Sequence, residues 1–408
     1  MPEEIISNIN KAESASAKKA AFGEDLDLSA YGVPARQNNG QIDPASISGP
    51  AREKMSETGM FLEDSGQRSG TFIQMDNSPM HASVVQDGIE VMSTSEALAK
   101  YDWVKEYLWN AVSVDADKYT AHVELNHADG YFVRALPGVK SEFPVQACLY
   151  MNRGKNIQDV HNIIIAEENS ELHIITGCST AGHEPGVHLG VSEFYIKKNA
   201  KITFTMIHSW TSETDVRPRT GVIIEDDGLF LSNYIIMRPV KSVQAYPFVK
   251  CNGINATARF NSVVVATPGS HIDLGSKAFL NAANSKTEMV ARTITTGGDI
   301  ISRGYIEGNC AGAKGHLECR GLIIGEKGYI HAIPELKGSV AGVDLSHEAA
   351  VGKIAEEEVE YLMARGLTRD EATAAIIRGF LKVDIDGLPD LLNVEIQRAI
   401  KSCEQELF

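Results

Sequence analysis

Between Tyr119 and Pro334 short apolar runs recur without a helical break: YFVRAL, VQACLYM, NIIIAE, ELHIITG, SEFYIKK, KITFTMIH, TGVIIED, LFLSNYIIM, FNSVVVA, HIDLGS, EMVARTIT, DIISRGYIEG and LECRGLIIG. Most are about four to eight residues long, rich in Ile, Val, Phe and Thr, and bounded by Gly, Asn, Asp or Ser. A long helix needs an uninterrupted 3.6-residue pattern, and none occurs here. The segment therefore folds as a sandwich, a barrel or a β-solenoid. A run of short strands this long favours the solenoid, with a pair of β-sandwiches as the alternative.

The flanks differ. Residues 1–118 are polar, with short helical patterns at Ile5–Ala21 and Pro50–Thr58 and a stronger one at Ser93–Asn110. In the last of these Ser95 fits an N-cap, and Leu98, Tyr101, Val104, Tyr107 and Leu108 form an apolar face. The β-rich core spans 119–345. Residues 346–408 are helical again. A helix at Glu356–Arg365 carries Val359, Leu362 and Met363 on one face and stops at Gly366. Thr368 and Glu371 form a capping box for a helix to about Leu381, and Pro389 opens a last helix, Asp390–Glu404. These helices are too few to make a core of their own and must pack on the β-domain or a partner.

The net charge of −16 argues against sequence-independent nucleic-acid binding, which needs clustered cations. No apolar run is long enough to span a membrane, and the first residues lack the apolar core of a secretory signal. Cys148, Cys178, Cys251, Cys310, Cys319 and Cys403 are widely spaced. That is neither a disulfide framework nor a zinc ribbon, and it fits free thiols in a reducing cytoplasm.

The chemistry concentrates near the end of the β-region. Cys319 lies in a strand-like run, and His347-Glu348 stands just before the Glu356–Arg365 helix. A thiol, an imidazole and a carboxylate this close suit a soft metal; the bland alternative is a buried cysteine and a helix cap. His316 and Glu318 rank lower, because strand neighbours alternate sides and Cys319 and Glu318 cannot both face one site. His331 and Glu335 read as surface or supporting residues, and Cys310, in GNCAGAKG, as an exposed thiol in a turn. Cys178 has His173, His183 and His188 nearby in sequence, and histidines near a thiol can favour the thiolate. There is no phosphate-binding G-x-x-x-x-G-K-[ST] motif, so ATP hydrolysis is not expected of this chain.

CRGLIIGEKGYIHAIPEL, SHEAAVGKI and RGLTRDEATAAIIRGF, with YFVRALPGVKSEFPVQACLYMN and NIIIAEENSELHIITGCSTAG upstream, resemble the SufB/SufD family of iron–sulfur cluster assembly proteins over roughly residues 90–400. The resemblance implies a right-handed parallel β-helix core between helical N- and C-terminal regions. It implies a scaffold rather than an enzyme, carrying a labile cluster, expected to be [4Fe–4S], on Cys319 with Glu348 and His347. Pairing Cys319 with His-Glu is the SufB-type pattern, and the short length resembles compact members that form homodimers. Cys178 stands where SufB-type chains carry a sulfur acceptor, and Asn152, His208 and Trp210 stand on a relay path through the β-helix. Tyr150, His208 and Pro218 depart from that path, where arginine, glutamine and lysine are usual. The implied partners are a SufC-like ABC-type ATPase docking on the C-terminal helices, a second copy, a sulfur donor (a cysteine desulfurase or free sulfide) and recipient proteins. The rival readings are a SufD-like structural subunit without a cluster and, on fold alone, a β-helical polysaccharide-acting enzyme.

Overall fold

The computed structural model describes residues 3–37, 41–60, 62, 67–182, 184–324 and 326–381. His183, Cys403 and the helix expected over 390–404 lie outside them. Helices α1 (Glu3–Ala15) and α2 (Gly49–Ser56) come first. Strand pairing then begins before the expected 119–345 span, with β1 (Gly70–Met75), β2 (Ser78–Val84) and β3 (Ile89–Ser93). Helices α3 (Thr94–Lys100) and α4 (Lys118–Leu125) lead to β4 (Tyr131–Ala135) and β5 (Val145–Met151).

From there the chain coils between two sheets as a parallel β-helix of about eight turns. The first coils are β6 (Ile157–Ala166) with β7 (Glu171–Thr180), and β8 (Gly186–Ile196) with β9 (Lys201–Ser209). In the next two, the first side is split into short strands: β10 (Thr214–Val216) and β11 (Arg219–Ile224) with β12 (Leu229–Ile236), then β13 (Ser242–Ala245) and β14 (Phe248–Cys251) with β15 (Thr257–Ala266). The last are β16 (His271–Leu280) with β17 (Lys286–Thr295), β18 (Asp299–Gly308) with β19 (Lys314–Ile323), and β20 (Tyr329–Gly338) with β21 (Asp344–Lys353). In one sheet the order β5-β7-β9-β12-β15-β17-β19-β21 is parallel throughout.

One turn recurs at every coil. Asn169, Asn199, Asp227, Asn255, Asn284, Gly312 and Gly342 all have positive φ, at intervals of 28–30 residues. Asn, Asp and Gly tolerate this left-handed conformation and other residues resist it. Each of the first six is followed by a small residue turned inward: Ser170, Ala200, Gly228, Ala256, Ser285 and Ala313. The amide of that residue donates to the carbonyl three back, as in Ala200 to Lys197 and Ala256 to Gly253. The turn amide itself donates to the next coil, Asn199 N to Asp226 O and Asn255 N to Ala283 O. The side chains add a ladder, with Asn199 Nδ2 donating to Asn169 Oδ1 at 2.8 Å and Asn255 Nδ2 to Asp227 Oδ1 at 2.8 Å.

Because every coil restarts at the same turn, alternation along the strands keeps one face inside and one outside. The inner core runs the length of the coil and includes an aromatic stack, Phe204, Phe194, Phe230 and Phe260, with ring centroids 4.8–5.9 Å apart. The outer faces are covered locally. The polar N-terminal region, which the sequence pattern leaves without a core, supplies this cover. Ala12, Ala15 and Leu26 pack with α4 on one sheet, and Ile47, Met55 and Met60 pack on β1 and β5 of the other. Buried Glu193 fastens the segment after α3: its carboxylate accepts from the amides of Trp109, Ala111 and Val112 at 2.6–3.0 Å and pairs with His161 Nε2 at 2.8 Å.

Helix α3 is shorter than the Ser93–Asn110 pattern suggests, and Ser93, not Ser95, caps it in a box closed by Glu96. Ser95 Oγ is instead taken by Asp129 Oδ2 at 2.7 Å, and a 3-10 turn follows at Asp102–Tyr107. The C-terminal helices are α5 (Glu356–Met363) and α6 (Arg369–Leu381), with the expected Thr368–Glu371 box in place. Ile377 and Phe380 of α6 cover Ile235, Val263, Ile294 and Leu322 on the outer face of one sheet.

The two ends of the coil are unlike. At the start, β2 and β3 pair antiparallel with β1 and β4 and close both sheets. At the other end β20 and β21 are parallel strands with no further partner among the described residues. Replacing Asn255 with Val should cost about 1–2 kcal/mol from the left-handed backbone alone, while Asn255→Gly should cost less. Chemical denaturation of both variants checks the order.

Candidate functional site

The repeated turn fixes which residues share the interior wall. Cys178 and His208 each lie nine residues past their turn residue, Asn169 and Asn199, and are direct partners on β7 and β9. Cys319 lies seven past Gly312. Its row on the same wall continues through Ala291, Ser262, Tyr234 and Met206 to Thr176. The two cysteines thus face the same interior, in adjacent rows, five strands apart, or about 24 Å along the axis.

The interior around Cys178 carries several polar side chains. Trp210 Nε1 donates to His208 Nδ1 at 2.6 Å, and His188 Nδ1 meets Gln158 Oε1 at 2.8 Å. The His208 ring lies 4.8 Å from Tyr234, and Tyr131 Oη meets Thr176 Oγ1 at 3.0 Å. His208 Nε2 and Tyr234 Oη are buried with no hydrogen-bond partner. Further along lies an interior cavity of about 30 Å³, with Thr220, Tyr234, Ser262, Ser276 and Pro218 among its walls. Burial and the neighbouring Cys178 push the Tyr234 phenol up, and burial lowers His188 to about 4 and, aided by His188, His208 to about 3. At neutral pH these imidazoles are uncharged.

Not every residue of the expected path lies inside. Asn152 sits at an exposed corner after β5, where its amide is held by Asp76 Oδ1 at 2.8 Å. Tyr150 and Cys148 point to the outer face and pack under α2. His173 lies on the outer side of β7, as alternation from Leu172 and Ile174 requires, so of the described histidines near Cys178 in sequence only His188 is interior.

The C-terminal site differs from the sequence reading in one respect. His347 and Glu348 do not cap the helix that follows: both lie in β21, which ends before α5, so they face opposite sides. His347 is the register partner of Leu317 and lies on the interior side with Cys319, whereas Glu348 partners Glu318 on the outer side. There Arg320 bridges Glu318 (Nε–Oε1 2.6 Å) and Glu348 (Nη2–Oε1 3.2 Å), while Arg292 Nη2 reaches Glu318 at 2.8 Å. His316 is also outside, 2.9 Å from Ser346 Oγ. Cys319 is buried, with Ser302 Oγ 3.8 Å from its sulfur. Burial raises its thiol above the ordinary range, opposed by Ser302. His331 and Glu335 are exposed on β20, and Cys310 is partly exposed in its turn. Among the described residues no three His, Cys, Asp or Glu side chains converge on a metal position. Among the described residues, Cys319 and His347 are the two such side chains on the interior side at this end.

Tyr234, Ser262 and Ser302 escaped the sequence reading. The turn residues were the signal that would have found the first two, since both stand seven past theirs.

Residues 149–380 match the family described as SUF system FeS cluster assembly, SufBD core domain. An iron–sulfur cluster assembly SufBD family protein of Archaeoglobus fulgidus is 50% identical over 360 residues, 88% of this chain and 97% of the relative. A protein of the same description from Methanothermobacter thermautotrophicus is 45% identical over 399 residues, 96% of this chain and 97% of the relative. The iron–sulfur cluster assembly protein SufB of Bacillus subtilis is 28% identical over 344 residues, 82% of this chain and 73% of the relative.

Thiolate, not thiol, is the nucleophile, and burial pushes Cys148 and Cys251 up to about 12 and Cys178 well above the ordinary thiol value. Among the described thiols of the native protein, iodoacetamide should therefore modify Cys310 first. Cys148, Cys178, Cys251 and Cys319 should react only slowly until denaturant is added. Peptide mass spectrometry over a time course reads this directly.

Proposed function

Since this chain belongs to the SufBD family of iron–sulfur cluster assembly proteins, we propose that it is a non-enzymatic scaffold. It builds a labile cluster, of [4Fe–4S] type, at the open end of its β-helix and passes it on. The observation that carries this reading is the position of Cys319, on the interior wall one strand from the unpaired edge at β21. A cluster takes about four protein ligands, mostly thiolates. One chain offers Cys319 and, beside it, His347. Two copies meeting edge to edge would double that set and bring Glu348 to the rim of the same junction. The apolar side chains exposed at this end, Tyr329, Val340 and Val351, favour such an association, as does the free strand edge.

Sulfur, as persulfide from a cysteine desulfurase, would enter at Cys178 and travel along the interior wall past His208, Trp210, Tyr234 and Ser262; free sulfide, already at the oxidation level of cluster sulfur, would instead be taken directly at the cluster end. The exposed position of Asn152 takes it off that route. ATP would be hydrolysed by a SufC-like ABC-type ATPase bound to the helical tail. Tyr361, Met363 and Leu367 are exposed apolar side chains there, 36–59% accessible, while Val359 and Ile377 of the same helices are buried. The reducing environment that this thiol chemistry requires is the cytoplasm. A SufD-like structural role is the second reading, favoured by the placement of His347 and Glu348 on opposite faces.

Anaerobic reconstitution of wild type and Cys319→Ala with iron, sulfide and the ATPase separates the two. The scaffold reading expects visible absorbance and bound iron in wild type and their loss in the variant. An unchanged Cys319→Ala spectrum would move the ligands elsewhere, and no cluster in either protein would leave the structural role. Independently, Tyr361→Asp should abolish co-elution with the ATPase and shift the melting temperature little, because Tyr361 is exposed.

A further inference from the structure

The interior beside Cys178 holds two hydrogen-bond donors with nothing to donate to. The indole N–H of Trp210 can only donate, so the 2.6 Å contact makes His208 Nδ1 the acceptor. On a neutral imidazole the proton must then sit on Nε2. That Nε2–H is buried without an acceptor, in a side chain only 2% exposed, and the Tyr234 hydroxyl beside it is equally unpaired. Buried polar groups are ordinarily satisfied, and a pair left open in a close-packed core calls for an explanation. Their neighbour on the same wall is Cys178, in direct register with His208 and in no hydrogen bond among the described residues. A neutral thiol is a weak acceptor and leaves these donors unused. A sulfur anion at the same place would be a strong one.

We propose that His208 is the positioning residue for sulfur carried on Cys178. Its Nε2–H and the Tyr234 hydroxyl form a preset donor pair that holds a Cys178 persulfide anion inside the β-helix. Trp210 acts through His208, by fixing the tautomer that presents the proton inward. Two other interior polar pairs near Cys178 are already engaged, His188 with Gln158 and Tyr131 with Thr176. The inference rests on the reading of Cys178 as sulfur acceptor and adds what stabilises the loaded form. The loading step is balanced without an external oxidant. The Cys178 sulfur attacks one sulfur of a donor S–S bond and that bond breaks. Its electron pair leaves on the departing sulfur, which takes the thiol proton, and a new S–S bond remains on Cys178. With hydrogen disulfide as donor the products are the Cys178 persulfide and hydrogen sulfide.

The test uses the full chain and inorganic polysulfide, a donor small enough to reach an interior thiol during local opening. Persulfide on the Cys178 peptide is trapped by alkylation after denaturation at successive times and quantified by mass. Wild type should carry the added sulfur on Cys178. His208→Met, which can still accept from Trp210 weakly but cannot donate inward, should shorten its lifetime about tenfold or more. His208→Gln, which can both accept and donate, should restore a lifetime near wild type. Tyr234→Phe removes a hydroxyl that makes no bond, so it should fold normally and shorten the lifetime about threefold. Equal lifetimes in wild type, His208→Met and Tyr234→Phe would overturn the inference while leaving Cys178 an acceptor. If His208→Met does not fold, an unchanged Tyr234→Phe lifetime overturns it alone. Absence of sulfur on Cys178 in wild type would overturn the acceptor reading, and this inference with it.

Discussion

The left-handed turn between the two sheets is the constraint on which the rest depends. It returns at the same point of each coil, and in most coils it closes with the same hydrogen bond to the carbonyl three back and donates its own amide to the coil that follows. A slip of one residue in any coil would exchange inside for outside over a whole strand, so the turn decides what the interior contains. Two cysteines separated by 141 positions in the chain consequently share one wall. No contact between them is needed. Each is placed by counting from its own turn, and the sheets transmit that count along the axis.

The same repetition leaves an end that the described residues do not finish. A solenoid stacks its coils through exposed backbone and apolar inner faces, and the terminal coil always lacks a neighbour. At the N-terminal end antiparallel strands solve this. At the C-terminal end, among the described residues, Ile330, Ala332, Leu336 and Leu345 of the last coil are only partly covered. A cluster assembled across that opening would have ligands from two chains, and its affinity would then depend on how firmly the chains associate. Such coupling would suit the transferable cargo of the proposed scaffold, because strain at the junction would weaken the site without a competing ligand.

The parts legible in the sequence follow from periodicity and capping. The succession of short strands identified the coil, the Thr368–Glu371 box located α6, and strand alternation separated Cys319 from Glu318 and His316. Three things were hidden. The turn repeat is spread over Asn, Asp and Gly, which no single-residue pattern reveals, although their backbone conformation is one. The strand at Asp344–Lys353 reads DLSHEAAVGK, with alanines and few β-branched residues, and it is a strand because β19 offers it an edge. That tertiary pairing is why His347 and Glu348 fall on opposite faces instead of together before a helix. The N-terminal region looked coreless because its few apolar residues form no core among themselves; they cover the outer faces of a coil that a local window cannot see.

The interior also explains why departures from the expected relay path need not empty it of function. Where a lysine is usual the chain has Pro218, which lines the cavity and contributes no charge. A cation in so enclosed a space would be costly to bury and would need a counter-ion at rest. Here the resting interior is electrically quiet: burial holds the thiols protonated and the imidazoles neutral. What remains is a set of neutral donors on the inner walls: His208, Tyr234, Ser262 and Ser302. Neutral donors stabilise an anion less than a cation would, and they release it more readily. On the proposed sulfur route, about 24 Å from one cysteine to the other, a succession of shallow sites would pass sulfur on more readily than one deep one.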